Sequence, residues 1–323
     1  MKALAVFSGG LDSMLAALLI RSQGIDVLGL FFETPFFTSA RAEKSAEVIR
    51  LPLKVIDLTE PHLEVVRNPR HGHGENMNPC IDCHALMLAK AGDRLVEEGA
   101  SFIITGEVLG QRPMSQNLRA LSTVAAQSGY RGLVLRPLSA KLLPPTVPEE
   151  KGWVAREALM GLSGRGRKPQ IELARTFNIT EYPSPAGGCL LTDPIFSRRL
   201  KDLFSSRPRC EVREIELLKV GRHFRFGEKT KAVVGRNKME NEEILTLAGK
   251  SDLVIKVDSV PGPVVLVIGE ISREVEALAV ALAISYSDAK DGEVAEVKIL
   301  EAGFERRESG SARPKSGFRA FMI

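Results

Sequence analysis

The 323-residue chain has only four cysteines, one tryptophan and three tyrosines, and it has no long uninterrupted apolar run. Each shortage excludes something. Four cysteines cannot staple a chain of this length, so any special role for them is metal binding or redox chemistry. A membrane helix needs about 18 consecutive apolar residues, and none is present. Aromatics total 6%, which argues against a surface built to stack many exposed bases. The opening segment MKALAVFSGG lacks the apolar run and small-residue cleavage site of a secretory signal, so a cytoplasmic location is the expectation.

What is present fits an ordinary globular protein: 44% apolar and 26% charged residues, in a length of about two domains at roughly 150 residues each. The net charge of +4 is unevenly placed. Residues 198–238 hold thirteen Lys/Arg against five Asp/Glu, a local +8. That run is either a nucleic-acid face or a solvated surface; charge alone does not choose.

Strand-like and helix-like segments alternate in the first half: a strand at 2–8, a helix from about Asp12 to Ser22, a strand over 26–32, and a helix from about Ser39 to Arg50. A strand at 53–58, a helix near Cys83 to Glu98 and strands at 101–106 and 133–138 follow. This pattern predicts an α/β fold, a parallel sheet with helices on both faces. Arg67 to Pro79 reads as a long loop. A Pro-rich stretch near 145 marks a boundary, with a helical region at 146–205 completing the first half. Residues 206–323 read as a smaller α+β domain, with short strands and an apolar helix near Glu274 to Ser285. The segment RRESGSARPKSG near the end reads as a mobile tail or loop.

Ser8-Gly9-Gly10-Leu11-Asp12-Ser13 lies between the first strand and the first helix. Exposed backbone N–H groups and the positive end of a helix can receive an anion there. The two glycines allow close approach, and Ser8 and Ser13 add hydroxyls. Asp12 is either a helix cap or part of a magnesium and phosphate network. A plain capped turn is the bland alternative. Neither the Walker pattern nor the third glycine of a dinucleotide loop is present. The hexapeptide resembles the SGGxDS signature of the PP-loop ATP pyrophosphatases. That resemblance implies ATP and Mg²⁺ bound at the loop and cleavage of ATP to AMP and pyrophosphate while a substrate oxygen is adenylated.

Asn78-Pro79-Cys80-Ile81-Asp82-Cys83 opens a helix, where the dipole favours a thiolate. By itself a Cys-x-x-Cys pair binds zinc, acts as a redox couple or packs. The stretch resembles the Asn-Pro-Asp-x-x-Cys segment of the tRNA 2-thiouridine enzymes, with Cys83 in the catalytic position and Cys80 replacing their aspartate. Cys189, in Ser184-Pro185-Ala186-Gly187-Gly188-Cys189, resembles their second catalytic cysteine. Three cysteines also resemble the sites of related iron-sulfur thiolases, which implies a 4Fe-4S cluster on Cys80, Cys83 and Cys189. Zinc, with Cys210 or His84 as fourth ligand, is the competing arrangement. Cys210 is otherwise a bystander, and His71 and His73 are expected to be solvated or RNA-facing.

A second stretch, Thr105-Gly106-Glu107-Val108-Leu109-Gly110-Gln111 with Ser115-Gln116, resembles the TGExxGQxxSQ segment of the 4-thiouridine synthases, although their THUMP and ferredoxin-like region has no counterpart here. It implies that Gly106 lies near ATP; Phe32 matches the position flanking adenine, with core packing as its alternative. Val234-Gly235-Arg236-Asn237-Lys238-Met239-Glu240-Asn241-Glu242 resembles the NFACT-R RNA-binding domains. The histidine usual after their Pro-Gly-Ser is missing here, where Pro263-Val264-Val265 stand. Arg222, Arg225, Lys229, Lys231, Arg236, Asn237 and Lys238 are the candidate RNA contacts.

Together these resemblances imply ATP-dependent tRNA thiolation. A uridine carbonyl oxygen would be adenylated and then replaced by sulfur from a sulfide or persulfide carrier, through Cys83 with Cys80 and Cys189, giving 4-thiouridine or 2-thiouridine. An amide-forming synthetase and a non-catalytic ATP- and RNA-binding protein are the rivals.

Overall fold

The computed structural model describes residues 1–184, 189–207 and 209–323. The chain divides into two compact units, Met1–Thr192 and Asp193–Ile323. The division falls earlier than the change in composition near 206. Asp193 caps the helix Pro194–Ser206 by accepting from Phe196 N at 2.7 Å, and Arg199 of that helix donates to Leu218 O at 2.8 Å and Gly221 O at 3.0 Å. These bonds tie the helix to the second unit.

In the first unit, strands β1 (Lys2–Val6), β2 (Asp26–Glu33), β3 (Leu53–Asp57), β4 (Phe102–Thr105) and β5 (Val134–Leu135) form a sheet in the order β3-β2-β1-β4-β5. Every pairing is parallel. The helices are α1 (Leu11–Arg21), α2 (Ala40–Val48), α3 (Thr59–Arg67), α4 (Cys80–Gly92), α5 (Leu118–Gln127), the single turn α6 (Val147–Glu150) and α7 (Lys168–Thr176). Both faces of the central strands are covered, which is why β1, β2 and β4 read as nearly continuous apolar runs, whereas the edge strand β3 is partly exposed. Ala3, Ala5, Phe7, Phe31, Phe102 and Ile104 pack with α1 and α2 on one face. Leu4, Leu30, Phe32 and Ile103 pack with α4 on the other. Burying one such large side chain contributes about 1.5–3 kcal/mol.

The strand order reverses between β1 and β4. Open α/β sheets bind ligands in the crevice beyond the carboxyl ends of the strands at such a point. The phosphate-loop candidate follows β1 and Gly106 follows β4, so the topology brings both to that crevice.

The second unit starts with α8 (Pro194–Ser206) and α9 (Val212–Leu217). Its sheet runs β11-β10-β8-β9-β7-β6, all antiparallel, from β6 (Arg222–Arg225), β7 (Lys231–Val234), β8 (Leu253–Val257), β9 (Val264–Ile268), β10 (Val294–Glu301) and β11 (Phe304–Ser311). The helix α10 (Lys238–Leu247) packs with Val233, Val254 and Leu266 on one face. On the other, α11 (Arg273–Ser285) covers Ala232, Val234, Ile255 and Val267. The expected tail is in fact β11: residues 304–311 pair with β10 from Phe304↔Glu301 to Ser311↔Val294. Main-chain hydrogen bonds hold this edge strand, so its polar side chains carry no apolar alternation to betray it. Among the described residues no helix is long and apolar enough to cross a membrane.

Candidate active site

The turn after β1 is held open by its neighbours. Gly9 has φ +71°, and a Cβ there would lie 2.6 Å from Ala42 Cα, so only glycine allows both the left-handed turn and the approach of α2. Ser45 Oγ donates to Gly9 O at 2.8 Å, and Ser13 Oγ donates to Gly10 O at 2.7 Å. Ser8 is exposed, with Oγ 3.5 Å from Ser13 Oγ. Gly10 caps α1 without any side-chain hydrogen bond, leaving the positive helix end uncovered. The Leu11 side chain is buried, so that residue can offer a ligand only its main chain.

Asp12 is not the cap. Its Oδ2 accepts from Gln111 Nε2 at 3.0 Å, and its Oδ1 is buried with no partner. A half-satisfied carboxylate beside a phosphate loop fits a hard cation such as Mg²⁺. Gly106 closes the other wall: a Cβ there would meet Asp12 C at 2.6 Å. Phe32 is 2% exposed and sits in the apolar cluster with Leu30 and Ile103.

The cysteine helix α4 is tied to the same crevice. Glu107, next after Gly106, is buried; its Oε1 lies 2.9 Å from His84 Nδ1, and its Oε2 accepts from Arg136 Nε at 2.8 Å. Burial alone would raise this carboxyl, but Arg136 and His84 outweigh it and hold it below the usual range. His84 adjoins Cys83, so the loop, Gly106, Glu107, His84 and the thiol form one connected series. His71 and His73 are exposed, and each also has a partner within the chain. His71 Nδ1 lies 2.9 Å from Asp82 Oδ1, and its N–H donates to Asp82 Oδ2 at 2.9 Å. His73 Nε2 lies 2.8 Å from Val66 O.

Cys83 Sγ lies 3.2 Å from Nε2 of His62, a fully buried residue of α3 packed against the rings of Phe36 and Phe37. Burial pushes His62 down to about 4, so it is neutral near pH 7. Its role was invisible in sequence, because a lone His in TEPHLEVV carries no motif; only the packing of α3 on α4 brings it to the thiol. Desolvation raises the Cys83 thiol well above its ordinary value, with Cys189 and then Cys80 adding to the rise. Cys189 is pushed up to about 11 by burial and by Cys80, against the pull of the Leu191 N–H and Arg112. The three sulfurs are thus within electrostatic reach of one another. Most of the loop that carries Cys189, residues 185–188, lies outside the described residues.

Among the described residues no group of three or more His, Cys, Asp or Glu side chains is arranged to hold a metal ion. The expected cluster or zinc site is therefore not formed as a ligand set. Cys80 Sγ accepts from Asn78 Nδ2 at 3.3 Å, Cys83 faces His62, His84 faces Glu107, and Cys210 belongs to the other unit.

The second unit spends most of the proposed RNA contacts internally. Arg225 is bound by Asp202, and Arg236 by Glu240. Asn237 caps α10 by accepting from Glu240 N at 3.0 Å, and Lys229 Nζ lies 2.8 Å from Glu270. Lys231 is corrected: it is 7% exposed, its amine is pushed down to about 7 by burial, and it faces the interior. Arg222 lies over the Tyr286 ring at 5.3 Å, and Lys238 is 91% exposed.

Comparison with known proteins agrees with this division. Residues 1–141 match the family described as thiamine biosynthesis protein (ThiI), and residues 221–316 match the NFACT protein RNA binding domain. A tRNA-specific 2-thiouridylase MnmA of Sulfurimonas denitrificans is 33% identical over 120 residues, 33% of this chain and 35% of that one. A Methanosarcina mazei protein described as "Probable tRNA sulfurtransferase" is 30% identical over 119 residues, 34% of this chain and 29% of that one. The chain thus spans about a third of the length of the curated relatives it matches. A solved 4-thiouridine synthetase–RNA complex with bound ATP is similar with a TM-score of 0.35, at 20% identity over 55% of this chain and 51% of that one, a likeness that says nothing about substrate. Residues 1–141 are a PP-loop domain of the ThiI kind, and residues 221–316 are an NFACT-R domain carried on the same chain.

Proposed function

We propose that this protein is an ATP-dependent tRNA sulfurtransferase that adenylates a uridine carbonyl oxygen and replaces it with sulfur. The observation that carries the reading is the pair of thiols, Cys80 and Cys83, in the first turn of α4, in the same unit as an uncapped phosphate loop and joined to it through Glu107 and His84. An amide-forming synthetase has no use for such thiols.

ATP lies with its phosphates at Ser8–Ser13, where main-chain N–H groups and the helix end stabilise charge on the phosphates. Asp12 would hold Mg²⁺, which would neutralise phosphate charge, with the oxygen that Gln111 leaves free. The uridine oxygen attacks the α-phosphorus and pyrophosphate leaves. A persulfide formed on one thiol from the sulfur carrier then attacks the activated carbon through its outer sulfur, and AMP leaves. A second thiol attacks the inner sulfur, releasing the thiouridine and leaving a disulfide for a thiol reductant to reopen. His62 Nε2, 3.2 Å from Cys83 Sγ, positions the Cys83 thiol. A 4Fe-4S cluster on Cys80, Cys83 and Cys189 would supply bound sulfide instead, but among the described residues the ligand set is not assembled.

The test is full-length protein incubated with tRNA, Mg²⁺, ATP and either a persulfide donor or sulfide, followed by nucleoside mass spectrometry and AMP assay. One thionucleoside appearing in step with AMP is expected, with Cys83→Ser losing the thionucleoside while retaining AMP release. Absence of both products with every sulfur source removes the proposal, and iron with acid-labile sulfide in stoichiometric amounts replaces the persulfide route.

A further inference from the structure

Residues 68–79 join α3 to α4 and lead into the cysteine pair. The loop is fixed to the helix it feeds: His71 binds Asp82 through both its main-chain N–H and its ring. Gly74 N donates to Asn78 O at 2.9 Å, and a Cβ on Gly74 would lie 2.4 Å from Asn78 Nδ2, so a larger residue there would push the Asn78 amide aside. That amide serves two neighbours. Its Oδ1 accepts from Asn76 N at 3.1 Å, and its Nδ2 donates to Cys80 Sγ at 3.3 Å.

Asn76 reaches a segment 116 residues further along the chain, its Nδ2 donating to Thr192 O at 2.9 Å. A carbonyl oxygen can only accept, so the amide nitrogen must face it. Thr192 ends the single 3-10 turn Leu190–Thr192, and both its N, at 2.8 Å, and its Oγ1, at 2.6 Å, donate to Cys189 O. Leu191, 1% exposed, buries its side chain from the same turn. Hydrogen bonds therefore run without a break from the Cys80 thiol through Asn78, Asn76 and Thr192 to the main chain of Cys189.

We propose that Asn76 is a positioning residue for sulfur transfer: it docks the Cys189 turn onto the loop that leads into α4, so that the Cys189 thiol is presented to Cys80 and Cys83. This rests on the reading of the three cysteines as the sulfur-transfer group and adds the device that assembles it. In that chemistry a second thiol must reach a persulfide formed on another. Thiols far apart in the chain react quickly only where the fold holds both in place. Asn76 does this through the Thr192 carbonyl, and Asn78 fixes Asn76 in turn.

The experiment oxidises the full chain with diamide, which takes up the two electrons and two protons released when two thiols join. Remaining thiols are then blocked, and each disulfide is quantified over time by peptide mass spectrometry. In the unaltered protein Cys189 is expected to link to Cys80 or Cys83. Asn76→Asp is nearly isosteric but sets a carboxylate against the Thr192 carbonyl. It should slow the Cys189 links about 10- to 100-fold, while the Cys80–Cys83 link, local to α4, forms at an unchanged rate. Asn76→Ala should give the same selective loss, and Thr192→Val, which removes one of two donors to Cys189 O, a smaller one. Unchanged Cys189 links in Asn76→Asp and Asn76→Ala overturn the docking role alone. Equal slowing of every link also overturns it, since that would mark a general loosening of the first unit. Failure of the unaltered protein to form any link to Cys189 defeats the three-cysteine reading and the docking together.

Discussion

The two units put their motif residues to opposite uses. In the first, side chains at the crevice keep bonding capacity in hand: Asp12 Oδ1 and Arg41 Nε are buried without partners among the described residues, and the end of α1 has no side-chain cap. In the second, the motif is consumed by the fold. Glu240 accepts from Arg236 and from the main-chain N–H groups of Arg236 and Gly221; Asn237 caps α10, and Asn241 Oδ1 accepts from Val264 N at 3.0 Å. Unsatisfied buried polar groups cost stability unless something else completes them. The contrast therefore separates a motif that waits for a ligand from one that builds a scaffold.

The largest effect should come from Asp12→Ala. Removing the carboxylate that completes the phosphate site is expected to lower tRNA-dependent AMP formation by about 10²- to 10³-fold, with thermal stability unchanged or slightly raised because an orphaned acceptor is gone. Its counterpart is Glu240→Ala, which strands Arg236 and two main-chain donors and should cost about 3 kcal/mol of stability in the second unit, read by urea unfolding. A stable Glu240→Ala protein that has lost tRNA affinity would break the comparison, since the motif would then be contacting RNA directly.

The buried histidines sharpen it further. His62 touches the Cys83 thiol, whereas His223 Nε2 lies 2.8 Å from Val220 O. Burial lowers both, His62 to about 4 and His223 well below its ordinary value. Their folded pKa values lie under the unfolded value near 6.5, so each contributes stability that is complete above about pH 6.5 and is lost as pH falls towards the folded value. For His62 this amounts to roughly 3 kcal/mol between pH 6.5 and 4. Denaturant midpoints at pH 7.5 and 5 should therefore converge in His62→Phe, and only that variant, not His223→Phe, should also slow sulfur transfer.

How much of this was legible in sequence depends on where each signal originates. The parallel sheet announced itself because its central strands β1, β2 and β4 are largely buried on both faces and nearly all apolar, and the loop after β1 because its glycines and serines act locally. His62 did not, since its contact is tertiary and its neighbours in the chain carry no motif. β11 did not, because an edge strand held by its main chain can be as polar as RRESGS. The basic run at 198–238 was legible as charge but not as pairing: Asp202, Glu214 and Glu240 sit within or beside it and neutralise Arg225, Arg207 and Arg236.

That last point carries the smallest prediction. If tRNA binds the second unit through phosphates, the contacts fall to cations the fold has left exposed, and Lys238, 91% exposed with Glu242 3.9 Å away, is the clearest of the expected set. Lys238→Ala should weaken tRNA binding only a few-fold at moderate salt, flatten the dependence of log affinity on log salt by about one unit, and leave the unfolding midpoint where it was. Lys231→Ala should do the reverse, altering stability and not the salt slope, because a buried amine near neutrality releases no counterion when RNA arrives. Identical salt slopes for the two variants would mean that exposure does not decide which cations meet the RNA, and the division drawn between the units would have to be abandoned on the RNA side.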